Sequence, residues 1–318
     1  MVTGPASPAG VHPVVLVLVA VVSVQFGGAL AATLLPLVGV VGSVTLRLVL
    51  AALILGALVR PRLRGRTAGD WGVVGLFALA LTAMNLAFYG SLTRLPIGVA
   101  VTIEFLGPLA LAAALSRRAR DIGAVLAALL GVVLISEAVT TPWRDLDLVG
   151  IGLAGAAGAC WAAYIVLSRR TGARFAGLDG IALCLIIGAV VTLPLGVATA
   201  GSALWSGEAL ARGLGIALLS SAIPYSLELV ALRQLTAGTF GVLLSLEPAA
   251  AALAGLLVLG QVLDPLQVLG MGLVIVASVL VLGRSGASSA ATRRRRWTSG
   301  GSAPPQSPRG GAGSPRTG

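Results

Sequence analysis

The sequence predicts an all-α integral membrane protein, with ten transmembrane helices in two inverted five-helix repeats. Three observations lead there. The 318 residues are 57% hydrophobic and 10% charged, with a mean hydropathy of +1.00, whereas soluble domains carry roughly 25% charged residues. Apolar stretches of about twenty residues recur along the chain, the length that crosses a ~30 Å hydrocarbon core as a helix. Two stretches far apart in the chain also share a pattern at a fixed offset. Lipid offers no hydrogen bonds, so segments this long and evenly apolar fold as helices.

The spans fall at 14–35, 40–59, 71–91, 97–115, 122–138, 148–168, 179–200, 211–232, 239–259 and 265–283. Residues 1–13 precede the first span, and His12 there is expected in water. GALAAT (Gly28–Thr33) carries the small residues of a leader cleavage site, but no cation precedes it, so the first span is expected to be retained. The second span holds Arg47 and ends in Arg60, Arg62, Arg64 and Arg66. The fourth is followed by Arg117, Arg118 and Arg120, the sixth by Arg169, Arg170 and Arg174, and the eighth by Arg233. The alternate loops hold only Arg94, Arg144 and Arg212. By the positive-inside rule the Arg-rich side is cytoplasmic, and both termini lie there, as in a bacterial inner-membrane protein. Residues 284–318 differ in kind: RRRRW (Arg293–Trp297) leads into a Gly/Pro/Ser-rich run that cannot bury enough apolar surface to fold. This tail is expected to be disordered in the cytoplasm, its arginines either on anionic lipid headgroups or solvated without a role.

The shared pattern sets SLTRLPIGVAVTIEFLGPLALAAAL (from Ser91) on ALRQLTAGTFGVLLSLEPAAAALAGLL (from Ala231), with Leu95 on Leu235, Gly98 on Gly238 and Pro108 on Pro248. The proline deep in each span, near an acid, is the stronger part of the match. The repeats are 14–138 and 148–283. Five is odd, so the second unit enters the membrane upside down relative to the first. Inverted halves are a recurring plan for secondary transporters, with the site near the midplane between them.

A charge at bilayer centre costs about 2.5–3.5 kcal/mol, so it faces the interior, meets water or pairs. Four such groups stand within the spans: Arg47, Glu104, Glu228 and Glu247. Helical rise puts Arg47, Asn85 and Glu104 each roughly 10 Å below the outer boundary. An Arg–carboxylate pair beside an amide can bind the two ends of a zwitterion, or it can simply lock the second and fourth helices. Glu247 lies roughly 12 Å above the cytoplasmic boundary. Glu228 is shallower, near enough to snorkel. Removal from water favours the neutral carboxyl, so Glu104, Glu247 and Glu228 are the candidates for a coupling proton. Pro108, Pro224 and Pro248 each remove a helix hydrogen bond and are expected to kink their spans. Tyr89, Trp161 and Tyr225, with Phe26, Phe88, Tyr164 and Phe240 as further aromatics at depth, either wall a small-molecule cavity or pack between helices.

Other classes fall away. A net charge of +11 would suggest nucleic acid in a soluble protein, but here the cations mark helix ends. Cys160 and Cys184 sit in separate apolar spans as small core residues, without metal-ligand spacing. His12 is the only histidine and lies outside the membrane. Neither a catalytic constellation nor a phosphate-binding loop is present, so an enzyme, a metal site or a bound cofactor is not expected.

Four stretches carry a family likeness: TLRLVLAALIL (from Thr45), MNLAFYGSLTRLPIGVAVTIEFLGPLALAAALSRR (from Met84), AGACWAAYIVLSRRTG (from Ala157) and AIPYSLELVALRQLTAGTFGVLLSLEPAAAALAGLLVLG (from Ala222). Over about residues 14–283 the chain resembles the EamA-type branch of the drug/metabolite transporter superfamily. The resemblance implies ten helices, two repeats, cytoplasmic termini and a central cavity. It further implies export of small amino acids, threonine and homoserine among them, or of related metabolites, driven by protons. Export of another solute class, or a non-transporting scaffold, is the alternative. The resemblance supplies no ligand residues, and it does not cover the tail.

Overall fold

Apolar stretches leave the backbone no partner but itself, and helix follows helix throughout the described residues. A computed structural model describes residues 11–95, 97–115, 119–135, 147–244, 246–247, 249–250 and 264–277, all within one unit that ends at Val281. The tail 284–318, Arg117, Arg118, Arg144 and Pro248 lie outside the described residues.

Helix α1 (Pro13–Val59) starts at a His12 cap and runs through two expected spans. The loop anticipated at 36–39 shrinks to one residue, Gly39, at φ 69°. Only glycine enters that region freely, so a single residue breaks the helix into two arms. Helix α2 (Ala68–Leu92) opens on a reciprocal cap between Thr67 and Asp70. Helices α3 (Ile97–Leu115), continuous through Pro108, and α4 (Ala119–Ile135) follow. The Asp147 carboxylate, which accepts from the Gly150 N–H at 2.7 Å, caps α5 (Leu148–Arg174). After α6 (Asp179–Ala200) and a 3-10 turn, α7 (Gly207–Ala217), a π-helical turn (Leu218–Ala222) and α8 (Ile223–Leu232) form one span of 26 residues. The chain continues in α9 (Ala237–Leu244) and α10 (Pro265–Ala277).

Five of the described helices are long and apolar enough to cross a membrane: Thr33–Val59, Ala68–Leu92, Leu148–Arg174, Asp179–Trp205 and Gly207–Leu232. Shorter apolar helices accompany them at Pro13–Gly28, Val99–Leu115, Ile122–Leu134 and Pro265–Ala277. The polarity of the bundle is that of a membrane protein. Leu53, Leu58, Leu79 and Val190 are more than half exposed, whereas Arg47, Asn85, Glu104 and Glu228 are buried. An apolar exterior of this kind is stable against lipid tails and unfavourable against water.

Helix α1 packs mainly on α6, α7 and α8, while α5 packs on α2 and α3, and α3 also meets α9. The α3–α5 crossing is backbone against backbone. A Cβ at Gly107 would stand 1.9 Å from the Gly158 carbonyl oxygen, and one at Gly158 would stand 2.6 Å from the Glu104 carbonyl oxygen. Small residues permit such approach, and here they fix the height of Glu104 against α5.

The loops sort by end. Arg66 pairs with Asp179 at 2.8 Å and Arg174 with Asp70 at 3.2 Å. Arg233 donates to the Gly172 and Phe175 carbonyls at 3.1 and 3.0 Å. The turns after α1, α5 and α8 therefore meet at one end, as the arginine alternation predicts. At the far end of α2, Arg94 pairs with Asp147 at 3.2 Å. The Gly150 N–H first, and Arg94 after it, holds the Asp147 carboxyl below its usual range.

Candidate functional site

The buried arginine comes first, because it has the most to satisfy. Arg47 lies in the second arm of α1, in the bundle interior. Its Nε donates to Ser221 Oγ at 2.7 Å, one terminal nitrogen to the Tyr225 hydroxyl at 2.7 Å and to the Ser220 carbonyl, and the other to the Tyr89 hydroxyl at 3.4 Å. The guanidinium also lies 5.5 Å from the centre of the Tyr225 ring. Five N–H donors in a rigid fork suit this many-sided capture better than an ammonium would.

Around it stands a polar cluster drawn from four helices. Asn85 on α2 donates from Nδ2 to the Leu81 carbonyl at 2.8 Å and to the Tyr225 hydroxyl at 3.4 Å. The Tyr225 oxygen thus accepts from both Arg47 and Asn85, which leaves its own O–H to donate elsewhere. Tyr164 on α5 donates to Glu228 on α8 at 2.7 Å, and its ring lies 5.7 Å from that of Tyr225. Phe77 closes the other side of Tyr164 at 5.3 Å.

Glu104 is buried on α3. It makes no hydrogen bond or ion pair among the described residues, although Arg47 is near enough to act on it electrostatically. The locking ion pair between Arg47 and Glu104 is therefore not formed. Arg47 and Asn85 both donate to Tyr225, but depth says nothing about which way a side chain points around its helix. Beside Glu104, Phe105 meets Trp161 of α5 edge-on at 4.8 Å. Both rings are buried.

Two other expectations need correction or qualification. Glu228 does not snorkel: it is 4% exposed and takes the Tyr164 proton donor instead of water. Phe26 is half exposed on the outer surface and lines nothing inside. Glu247 is half-buried and without a hydrogen bond among the described residues, within electrostatic reach of Glu104, Glu228 and Arg47. Phe240 is fully buried, and Phe88 stacks edge-on to Tyr89 at 6.3 Å. Cys184 is buried and Cys160 half-buried, both as free thiols.

Sequence reasoning missed Ser220 and Ser221, which together supply two of the acceptors for Arg47. The signal was present in SSAIPY (Ser220–Tyr225). A proline in a helix strips the partner from the carbonyl four residues before it, and four residues before Pro224 stands Ser220.

Comparisons with known proteins bear on family and fold. The EamA-like transporter family matches residues 148–283. The chain is 44% identical over 268 residues to the threonine/homoserine exporter RhtA of Escherichia coli K12, covering 84% of this chain and 90% of that protein. It is 43% identical, with the same coverage, to RhtA of Salmonella typhimurium LT2. A crystal structure of another protein, only 17% identical, superposes with a TM-score of 0.71 over 85% of this chain and 96% of that one, a likeness of fold alone. With more than two fifths of the aligned residues identical across nearly the full length of these exporters, the chain belongs to the EamA-like transporter family.

Proposed function

We propose that this protein is a secondary active exporter of small amino acids of the threonine and homoserine type. It works across the bacterial cytoplasmic membrane by proton antiport, with the site alternately open to either side. The observation that carries the reading is the Glu104 carboxyl. It is buried within electrostatic range of Arg47, yet makes no hydrogen bond or ion pair among the described residues, and a buried carboxyl is costly to leave unsatisfied. A zwitterionic amino acid supplies what is missing. Its ammonium meets Glu104, and its carboxylate takes the weakly held side of Arg47 now turned to Tyr89 at 3.4 Å. The uncommitted hydroxyl proton of Tyr225 and the side chain of Asn85 complete the polar contacts, and Trp161 bounds the apolar side.

The coupling proton belongs to the carboxyls. When no substrate is bound, a proton on Glu104 removes the cost of its charge, so substrate ammonium and proton compete for one group. Glu228 and Glu247, on the second half, are the further proton carriers. Pro108, inside α3, leaves a carbonyl of that helix without its donor and gives the span a place to bend.

The ten-span arrangement with two inverted repeats, 14–138 and 148–283, underlies the alternation. Two contacts support it. Asn85 and Tyr225, hydrogen-bonded to each other, stand 140 residues apart, the offset at which the two halves align. Leu48 and Gly188 have the same separation, and a Cβ at Gly188 would touch the Leu48 side chain at 3.4 Å. Residues related by a two-fold axis meet where that axis passes between them. The Arg-rich end faces the cytoplasm, with both termini and the 284–318 tail.

The test is export itself. Cells or vesicles are loaded with labelled threonine, homoserine or an unrelated panel of solutes, and efflux is followed with and without a pH gradient. Gradient-dependent loss of threonine or homoserine above empty membranes supports the reading. Rates equal to empty membranes for both would remove it.

A further inference from the structure

The span carrying Tyr225 and Glu228 is not one regular helix, and the irregularity has a hydrogen-bond ledger that closes. At the π-turn, the Ile223 N–H bonds to the Leu218 carbonyl, one residue further back than in an α-helix. Leu219 thereby loses its α-helical donor. The next donor in line is Pro224, which has no N–H, so the Ser220 carbonyl loses its own donor as well. Two consecutive carbonyls lose their α-helical donors, one on buried Ser220 and one on half-buried Leu219, and backbone groups withdrawn from water are almost always paired. Both are taken up from α1. Ser23 Oγ donates to the Leu219 carbonyl at 2.7 Å, and Arg47 donates to the Ser220 carbonyl. Arg47 Nε takes Ser221 Oγ in addition. Between the two tethers Gly27 lets the strands of backbone close up, since a Cβ there would stand 2.0 Å from Ser220 Oγ. The first half has no such joint: 140 residues earlier α2 is continuous helix, with Met84 where Pro224 stands.

We propose that the Leu218–Ala222 turn is the positioning device for Arg47, with Ser23, Ser221 and Pro224 as its positioning residues. The register of the turn sets where the guanidinium sits. An amino-acid carboxylate that draws Arg47 toward itself competes with the Ser220 carbonyl, and so loosens the joint of this one span. Isolated π-turns recur at functional sites for this kind of reason: they present backbone groups that an α-helix would hide. The competition step rests on the proposed role of Arg47 in holding substrate. The tethering does not.

The experiment separates the two. Amide hydrogen exchange of Leu219–Ser226 is measured on the full chain in lipid nanodiscs, without solute. Ser23→Ala is expected to speed exchange there about tenfold, the size of one lost buried hydrogen bond, and Ser23→Thr to restore it. Unchanged exchange in both Ser23→Ala and Ser221→Ala overturns the tether, whatever the protein transports. In proteoliposomes with threonine, Ser221→Ala is expected to raise KM about tenfold, again one hydrogen bond, with the maximal rate held within twofold and Ser221→Thr returning KM. Saturating threonine is expected to speed exchange of the same amides in the unaltered chain. A loss of maximal rate with KM unchanged, or no response of these amides to bound threonine, overturns the competition step. Failure of the unaltered chain to bind or move threonine and homoserine refutes the exporter reading and with it the competition step, while the solute-free exchange still decides the tether.

Discussion

At the scale of single residues, the site sets a cation with many partners against an acid with none among the described residues. Arg47 is held by two hydroxyls, a serine and a carbonyl, so its removal exposes acceptors rather than one partner charge. Arg47→Ala is predicted to destabilise the protein by about 1–3 kcal/mol for each acceptor left unsatisfied, read as a lower melting temperature in detergent. Arg47→Lys keeps the charge but not the fork, and is predicted to abolish saturable threonine efflux with a smaller loss of stability. Glu104→Gln removes the ionisable group at nearly constant volume and makes no broken pair, so melting should hardly change. Gradient-driven efflux should fall at least about tenfold, the scale of one charge-assisted contact. Much of this site was legible beforehand, because an ionisable group in an apolar span is costly enough to stand out: Arg47, Glu104, Asn85, Tyr225 and Glu228 all lie in the interior. What stayed hidden were Ser220 and Ser221. Serine is ordinary in a membrane helix, and its importance here comes from a backbone irregularity that composition does not display. The sequence leaves open whether Arg47 and Glu104 pair, because a rise per residue gives height, not azimuth.

Among the elements, the α3–α5 crossing decides where Glu104 stands. Gly107 and Gly158 bring the two backbones into contact with no room for a methyl group. Gly158→Val is predicted to cost about 1–3 kcal/mol through overpacking and to depress efflux as α3 is pushed away. An unchanged melting temperature and rate would show that the crossing yields freely. The element boundaries were well anticipated where charges or turn residues end a span, as at Arg60 and Asp147. They were missed where a single glycine does the work of a loop: Gly39 breaks α1 without the four-residue connection expected at 36–39. The Asp147 cap also settles a point about pH. Its carboxyl is held below the usual range by the Gly150 N–H and Arg94, so its contribution to stability is complete above the ordinary carboxylate value and is lost only as pH falls through the depressed one. Near neutral pH the cap is constant, and a pH response of efflux there does not arise from it.

For the whole molecule, the proposed function assigns orientation to the arginines and coupling to the acids. The turns after α1, α5 and α8 are joined at one end by Arg66–Asp179, Arg174–Asp70 and the Arg233 contacts, and Arg94–Asp147 marks the other. With Cys160 and Cys184 replaced, a cysteine introduced as Arg62→Cys is predicted to react with an impermeant maleimide only from the cytoplasmic side, and one introduced as Arg94→Cys only from outside. Labelling of both from the same side would contradict the arrangement. The grouping of loops was readable in the sequence because lipid forbids a charged loop from lying at depth, so charges record the ends. The central claim, that the Glu104 carboxyl exchanges a proton for a solute, is tested most directly by counting both at once. Proteoliposomes loaded with threonine and an internal pH dye are diluted into threonine-free buffer. The account predicts that the lumen acidifies as threonine leaves, and that Glu104→Gln loses this acidification. Threonine efflux at full rate with a constant internal pH, in the unaltered protein, would contradict it.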